Sequence, residues 1–169
     1  MTRTLVTYAS KHGSTEEVAR TVAARLRDTG QDVDVRDAAI VDDLEPYDAV
    51  VVGGSLYMGR WHGDARSFVR RHRAALEERP LAIFALGPRS LAEDEVAGSR
   101  KQLTGALTSL GVHPHFIAIF GGVVDPTKLH FPLNRMPATD ARDWNAIRGW
   151  SDKVAARFAD YLHAAPVHH

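Results

Sequence analysis

The chain has 169 residues, enough for one domain with a substantial core, and its 21 Lys and Arg residues balance its 21 Asp and Glu residues. Zero formal net charge gives no electrostatic reason to expect nucleic acid as the main partner. Because the chain has no cysteine, disulfides, thiolate nucleophiles and cysteine-ligated metal or iron–sulfur sites are excluded. No apolar run approaches the roughly 20 residues of a membrane span, and a strand pattern begins directly at the N-terminus. We therefore expect a single cytoplasmic domain over residues 1–169. His168 and His169 are either native or the remnant of a tag, and they take no part in the site arguments.

Apolar runs alternate with helical periodicity along the whole chain. The runs predict strands at residues 4–8, 31–36, 47–52, 81–86 and 115–120, and the segments between them are each long enough for a helix. A helix is predicted at residues 63–78, and others carry Val18, Val22 and Leu26, then Leu103 and Leu107. Such crossovers require parallel strands and place helices on both faces of the sheet. The predicted fold is α/β, a doubly wound five-stranded parallel sheet of order 2-1-3-4-5, with its switch point between strands one and three.

A polar loop follows the first strand and leads directly into the first helix. It is neither a nucleoside-triphosphate P-loop nor a dinucleotide fingerprint, because G-x-x-x-x-G-K-[ST] and G-x-G-x-x-G are both missing. Amides of a helix's first turn attract an anion, and the loop adds hydroxyl groups and a glycine. The alternative is an ordinary turn in which Ser14 is the N-cap and Glu17 closes a capping box. The residues predicted to form a phosphate cradle are Ser10, Lys11, His12, Gly13, Ser14 and Thr15.

Two further glycine-rich loops are predicted at the same edge of the sheet. They flank a flat ring, on which Tyr57 and Trp61 would stack, and their backbone groups would bond ring heteroatoms. Together with a phosphate cradle they suggest a mononucleotide cofactor, and FMN fits best. The loop after strand three contributes Gly54, Ser55, Leu56, Tyr57, Met58, Gly59, Arg60 and Trp61, and the end of strand four contributes Leu86, Gly87 and Pro88.

Four segments carry a family resemblance: YASKHGSTEEVA, GSLYMGRWHGDARSFVRRH, FGGVVDPTKLHFP and ARDWNAIRGW. On these residues the chain resembles the flavodoxin superfamily and is similar to the flavodoxin-domain group of bacterial menaquinone-dependent protoporphyrinogen oxidase. The resemblance implies an FMN-dependent oxidoreductase of quinone or porphyrinogen type, with the phosphate at residues 10–15 and the isoalloxazine at residues 55–61 and Gly87. It also implies that Gly121 and Gly122 lie near the cofactor's edge, and that a redox protein, quinone or porphyrinogen is the partner. One departure is that only residues 133–139 separate Pro132 from Asp140, where this group has a longer stretch.

Charge around the predicted ring site distinguishes an enzyme from an electron carrier. The chain is basic there, whereas carrier flavodoxins are acidic, and cations favour an anionic reduced flavin and two-electron chemistry. Alternatives are a non-enzymatic electron carrier, a relative that binds a deazaflavin, and arginines that merely face solvent. No catalytic residue is assigned, and no metal is expected, because His113 and His115 lack a third ligand at suitable spacing. The basic residues are Arg60, His62, Arg66, Arg70, Arg71, His72 and Arg73.

Overall fold

The computed structural model describes residues 2–164 and contains five parallel strands and three short ones. Strands of the parallel sheet lie in the order β2-β1-β3-β5-β6, which is the predicted 2-1-3-4-5 once the short β4 is left out. The predicted α/β fold and the predicted strand order are therefore confirmed. The strands are β1 (Arg3–Ala9), β2 (Asp32–Asp37), β3 (Ala49–Tyr57), β4 (Arg60–Trp61), β5 (Leu81–Leu86), β6 (Phe116–Phe120), β7 (Val123–Val124) and β8 (Thr139–Asp140).

Helices connect these strands and cover both faces of the sheet. They are α1 (Ser14–Asp28), α2 (Gly63–Arg71), α3 (Arg73–Glu77), α4 (Glu93–Leu110) and α5 (Trp144–Ala164). Short 3₁₀ turns occur at Ala38–Ile40, Pro126–Lys128 and Leu133–Arg135. None of the helices formed by residues 2–164 combines the length and apolarity that a membrane crossing requires. His168 and His169 lie outside the described residues.

Strand alternation divides the core into two layers, one on each face of the sheet. Leu5 on β1 packs with residues of α2, α3 and α4, whereas its neighbour Val6 packs with α1 and α5. Val50, Val51 and Val52 on the central strand β3 are all fully buried, as the continuous apolar run predicts for a strand covered on both faces. The two helical layers pack against the sheet and hold it in place, and the sheet in turn determines the positions of the loops at its edges.

Register brings the strand ends to one edge of the sheet. Ala9 pairs with Gly54, Ser55 pairs with Leu86, and Leu86 pairs with Phe120. The loops that follow β1, β3, β5 and β6 therefore begin side by side at the carboxyl edge, where ligands bind in open α/β sheets.

Two boundaries differ from the sequence prediction. Strand β3 continues to Tyr57 rather than ending at Val52, and it turns back into β4 as an antiparallel hairpin. Met58 and Gly59 form its tip with φ of 52° and 77°, the left-handed values that a two-residue hairpin turn requires. The single helix predicted at residues 63–78 is wrong, because His72 leaves helical geometry (φ −108°) and separates α2 from α3. The His72 ring lies against Phe68 and its Nε2 lies 3.3 Å from the carbonyl oxygen of Val41.

Candidate functional site

The predicted phosphate cradle is a tight loop between β1 and α1. Gly13 is the N-cap of α1 and has a φ of 92°, in the left-handed region that glycine adopts without strain. Its amide donates to the hydroxyl oxygen of Ser10 (2.9 Å), and its carbonyl accepts from the amide of Glu17 (3.1 Å). The alternative with Ser14 as the N-cap is wrong, because Ser14 is already helical and no side chain caps α1. Glu17 pairs with Arg142 and so closes no capping box.

The first turn of α1 contains several polar groups without partners in the described part of the chain. Within residues 2–164, the amides of Ser14, Thr15 and Glu16 donate to no acceptor. Thr15 is 0% exposed, and its hydroxyl oxygen has no hydrogen-bond partner in the described part of the chain. A buried hydroxyl without a partner costs about 1–3 kcal/mol, so natural structures seldom keep one without a reason. Free amides at the start of a helix are groups that can bind an anion, and a hydroxyl beside them can add a further donor.

Cations near the loop add to its attraction for an anion. Lys128, in the segment after β6, donates from Nζ to the carbonyl oxygen of His12 (3.1 Å). Burial lowers the pKa of His12, and the neighbouring charges of Lys11 and Lys128 lower it further. An anion bound at this loop would offset those charges. Sequence reasoning did not connect Lys128 with the cradle, because 116 residues separate it from His12.

Arg142 is a second long-range contributor that the sequence reasoning missed. Its side chain is 10% exposed and pairs with both Asp140 (2.8 Å) and Glu17 (3.0 Å). It also donates to the carbonyl oxygen of Ser14 (3.4 Å), and its guanidinium lies over the Trp144 ring. The guanidinium lowers the pKa of Asp140, chiefly through their hydrogen bonds. Arg142 therefore clamps the first turn of α1 to the segment that precedes α5.

The hairpin formed by β3 and β4 presents an exposed apolar tip. Tyr57 is 56% exposed and Met58 is 82% exposed, so both side chains can contact a ligand or a partner. Trp61 is different: it is 1% exposed, and its indole Nε1 donates to the carbonyl oxygen of Gly54 (3.1 Å). The prediction that Trp61 stacks on a ring is therefore wrong, because its ring is enclosed in the core. Gly54 has no side chain because a Cβ there would lie 2.6 Å from that Nε1.

The loops after β5 and β6 are joined to each other through their backbones. The amide of Gly87 donates to Phe120, and the amide of Gly122 donates to Pro88 (2.8 Å). A Cβ on Gly87 would lie 2.9 Å from Leu56 of the hairpin, so these two loops also touch. Leu86 is buried, and it packs in the core layer that also contains Phe84 and Phe120. A Cβ on Gly121 would lie 2.0 Å from the carbonyl oxygen of Ala141, so this glycine permits close packing.

The seven basic residues predicted around the ring do not form one cluster. Arg71 donates to Ala38, His72 lies beside Val41, and the ring nitrogen of His62 caps α2 by accepting from Asp64 (3.0 Å). Four arginines instead line a groove of about 640 Å³ between the hairpin, α2 and α4. They are Arg60, Arg66, Arg70 and Arg73. The prediction that all seven residues surround the ring is therefore corrected. Four of them line a groove beside the hairpin, and the other three have contacts elsewhere.

A doubly wound parallel sheet with this strand order is a flavodoxin-like fold. The flavodoxin domain profile matches residues 5–136. The chain belongs to the flavodoxin domain family.

Curated relatives match a part of the chain. The protoporphyrinogen IX dehydrogenase [quinone] of Escherichia coli strain K12 is 30% identical over 86 residues, covering 50% of this chain and 48% of the relative. The same enzyme in Escherichia coli O157:H7 gives the same values. The chain thus spans about half the length of the curated relatives it matches.

Solved structures share the fold over nearly the whole chain. A short-chain flavodoxin associated with a bacterial microcompartment has a TM-score of 0.66 at 16% identity, covering 95% of this chain and 99% of that one. A flavodoxin from Streptococcus pneumoniae TIGR4 has a TM-score of 0.63 at 21% identity, with coverages of 94% and 99%. A flavodoxin variant from Pseudomonas aeruginosa has a TM-score of 0.63 at 20% identity, with coverages of 93% and 99%.

Proposed function

We propose that this chain binds FMN and acts as a flavin-dependent oxidoreductase. The observation that carries the proposal is the buried hydroxyl of Thr15, which has no partner within residues 2–164 and lies beside three free amides of α1. A terminal phosphate supplies the acceptor oxygens that this donor set lacks. Membership of the flavodoxin domain family supports FMN as the molecule that carries the phosphate.

Each part of the proposed site has a separate task. Ser14, Thr15 and Glu16 would bind the phosphate through their amides, and Thr15 would add its hydroxyl. The hairpin tip and the joined loops at Gly87 and Gly122 would bind the ring, with Tyr57 available for stacking because it is exposed. Bound FMN would supply hydride or single-electron transfer, chemistry that no side chain of the protein provides. Other predicted contacts, among them Ser10, Lys11, His12, Ser55 and Pro88, belong to these same segments.

The partners proposed for this reaction follow the curated relative. Its name gives protoporphyrinogen IX and a quinone as its reactants, so we propose a quinone or a porphyrinogen as a substrate class here as well. A soluble naphthoquinone added to the chemically reduced holoprotein would test this directly. Stoichiometric reoxidation faster than that of free reduced FMN supports the proposal, and an equal rate contradicts it.

The cofactor itself is tested by the visible spectrum of the purified protein and the mass of the compound released on denaturation. A flavin spectrum and the mass of FMN support the proposal. Release of a deazaflavin contradicts FMN while keeping the same cradle. Failure to take up FMN after reconstitution contradicts the proposed function altogether.

A non-enzymatic electron carrier is the second candidate, because the exposed Tyr57 and Met58 offer an apolar surface on which a partner protein could dock. Potentiometric titration of the holoprotein separates the two candidates. Nearly coincident one-electron potentials support two-electron chemistry and the oxidoreductase. Widely separated potentials with a very low second value support the carrier.

A further inference from the structure

A groove lined by arginines lies apart from the proposed phosphate cradle. We call it the arginine groove and define it by Arg60 on the hairpin, Arg66 and Arg70 on α2, and Arg73 at the start of α3. Arg66 and Arg70 are four positions apart on α2, a spacing that places their side chains on one face of that helix, and Arg73 begins α3 just beyond the break at His72. Four cations therefore border one concave surface, and its lining includes no acidic residue from the described range 2–164.

None of these four arginines pairs with a carboxylate inside the described range, residues 2–164. By contrast, Arg3, Arg20, Arg25 and Arg142 all form ion pairs at 2.7–3.7 Å. Arg66 has one fixed contact, from Nε to the carbonyl oxygen of Trp61 (2.9 Å). Like charges repel each other, so four arginines without a carboxylate partner in this range make the groove attractive to an anion, although the chain as a whole has zero formal net charge.

The opposite wall of the arginine groove is formed by α4, and its residues are uncharged and mostly small. Gln102, Gly105 and Ser109 follow one another at helical spacing along it. Apart from the backbone of α4 itself, no atom of the described residues lies within 4 Å of where a Cβ on Gly105 would stand, so a ligand can approach the backbone closely there. Gln102 and Ser109 can donate hydrogen bonds alongside the guanidiniums. The volume of about 640 Å³ falls within the range of roughly 300–1,000 Å³ that small-molecule sites occupy.

We propose that the arginine groove binds a small polyanion, a molecule that carries two or more carboxylate or phosphate groups. Guanidinium groups bind such oxyanions through paired hydrogen bonds. A ligand needs more than one anionic group to contact the cations of the hairpin and those of α2 at the same time. The concave shape and the small residues of the far wall favour a compact ligand over a flat anionic membrane surface. None of the four arginines belongs to the proposed phosphate cradle, so a failure to bind FMN would not by itself abolish this site.

The proposed ligand would act on the hairpin as well as on α2. Arg66 bonds the carbonyl oxygen of Trp61, and the indole of Trp61 bonds the carbonyl oxygen of Gly54 at the end of the parallel part of β3. Binding beside Arg60 and Arg66 therefore alters the surroundings of the same hairpin that carries Tyr57 and Met58. Perturbed backbone resonances at residues 54–61 would report this linkage.

Calorimetric titration with citrate, and separately with pyrophosphate, tests the proposal at constant ionic strength. Both probes should bind with one-to-one stoichiometry to the arginine groove. The double variant Arg70→Gln/Arg73→Gln should lose at least tenfold in affinity for both, whereas Lys153→Gln, which removes one exposed cation from α5, should leave affinity unchanged. Thr15→Val should also leave it unchanged, because that residue belongs to the cradle.

A second variant covers the case in which the double variant does not fold. Ser109→Glu places a carboxylate at an exposed position of α4 inside the groove and should weaken citrate binding at least fivefold with all four arginines present. Undiminished binding in Ser109→Glu overturns the proposal. So do an absence of binding by both probes, a loss caused equally by Lys153→Gln, a loss caused by Thr15→Val, and binding to anionic vesicles without binding to either probe.

Discussion

Replacing Thr15 with valine changes one oxygen atom for a methyl group and should have opposite effects on the free and the FMN-bound protein. The hydroxyl is buried and has no partner in the described part of the chain, so the FMN-free fold bears its desolvation cost. Removing it should raise the free energy of unfolding of the FMN-free protein by about 1–3 kcal/mol. Bound FMN would lose one hydrogen bond to a charged phosphate, worth about 1.5–3 kcal/mol, so its affinity should fall roughly tenfold to 150-fold.

Urea unfolding of the FMN-free protein and quenching of FMN fluorescence measure the two effects separately. Thr7→Val is the matched control, because Thr7 is equally buried but its hydroxyl donates to the carbonyl oxygen of Arg36 (2.9 Å). That variant should lower the free energy of unfolding by about 1 kcal/mol and leave FMN affinity unchanged. Unchanged FMN affinity in Thr15→Val would refute the assignment of this hydroxyl to the phosphate. A loss of stability as large as that of Thr7→Val would refute the claim that the hydroxyl lacks a partner.

Arg142→Gln should lower the free energy of unfolding at neutral pH by about 1.5–3 kcal/mol, since a mostly buried guanidinium loses its charge-assisted bonds. The Asp140 pKa is lowered in the folded protein, so that pair stabilises the fold above the unfolded pKa of about 3.9, and the effect of the variant should shrink in urea unfolding as the pH falls below it. Gly121→Ala should destabilise the fold by about 1–3 kcal/mol or more through its collision with Ala141, whereas Gly98→Ala, in an open position of α4, should add about 0.5–1 kcal/mol. FMN binding should raise the lowered pKa of His12. The affinity of the wild type for FMN should therefore rise, relative to that of His12→Gln, as the pH is lowered from 8 to 6. Parallel pH profiles of the two proteins would contradict that coupling.

Much of the fold could be predicted because its signals are local. The apolar run of β3 and the periodicity of α1 each report burial of neighbouring residues, and the long crossovers require parallel strands. The hairpin was missed because Gly53 and Gly54 were interpreted as the end of a strand. They are glycines because the Phe84 ring and the Trp61 indole occupy the space that a Cβ would need. Gly59 in the two-residue turn is a signal from which the hairpin could have been predicted, because such turns favour glycine.

Long-range contacts account for what the sequence could not predict at the site. The position of the cradle follows from the strand–loop–helix pattern, but Arg142 lies 128 residues from the carbonyl group that it contacts. The basic residues at 60–73 are close in sequence, yet they lie in different surroundings because of helix geometry and the break between α2 and α3 at His72. Trp61 is predicted to stack on a flat ring, and only the tertiary fold shows that the adjacent core encloses its side chain.

The measurement that tests the proposed function most directly is the affinity of the FMN-free protein for FMN compared with riboflavin, which has the same ring without the phosphate. Within residues 2–164, three amides of α1 and the Thr15 hydroxyl have no acceptor, and the proposal assigns the phosphate to them, so FMN should bind at least about 100-fold more tightly than riboflavin. In Thr15→Val this ratio should shrink. Equal affinities for FMN and riboflavin, or no binding of FMN, would contradict the claim that the loop between β1 and α1 binds the phosphate of a flavin.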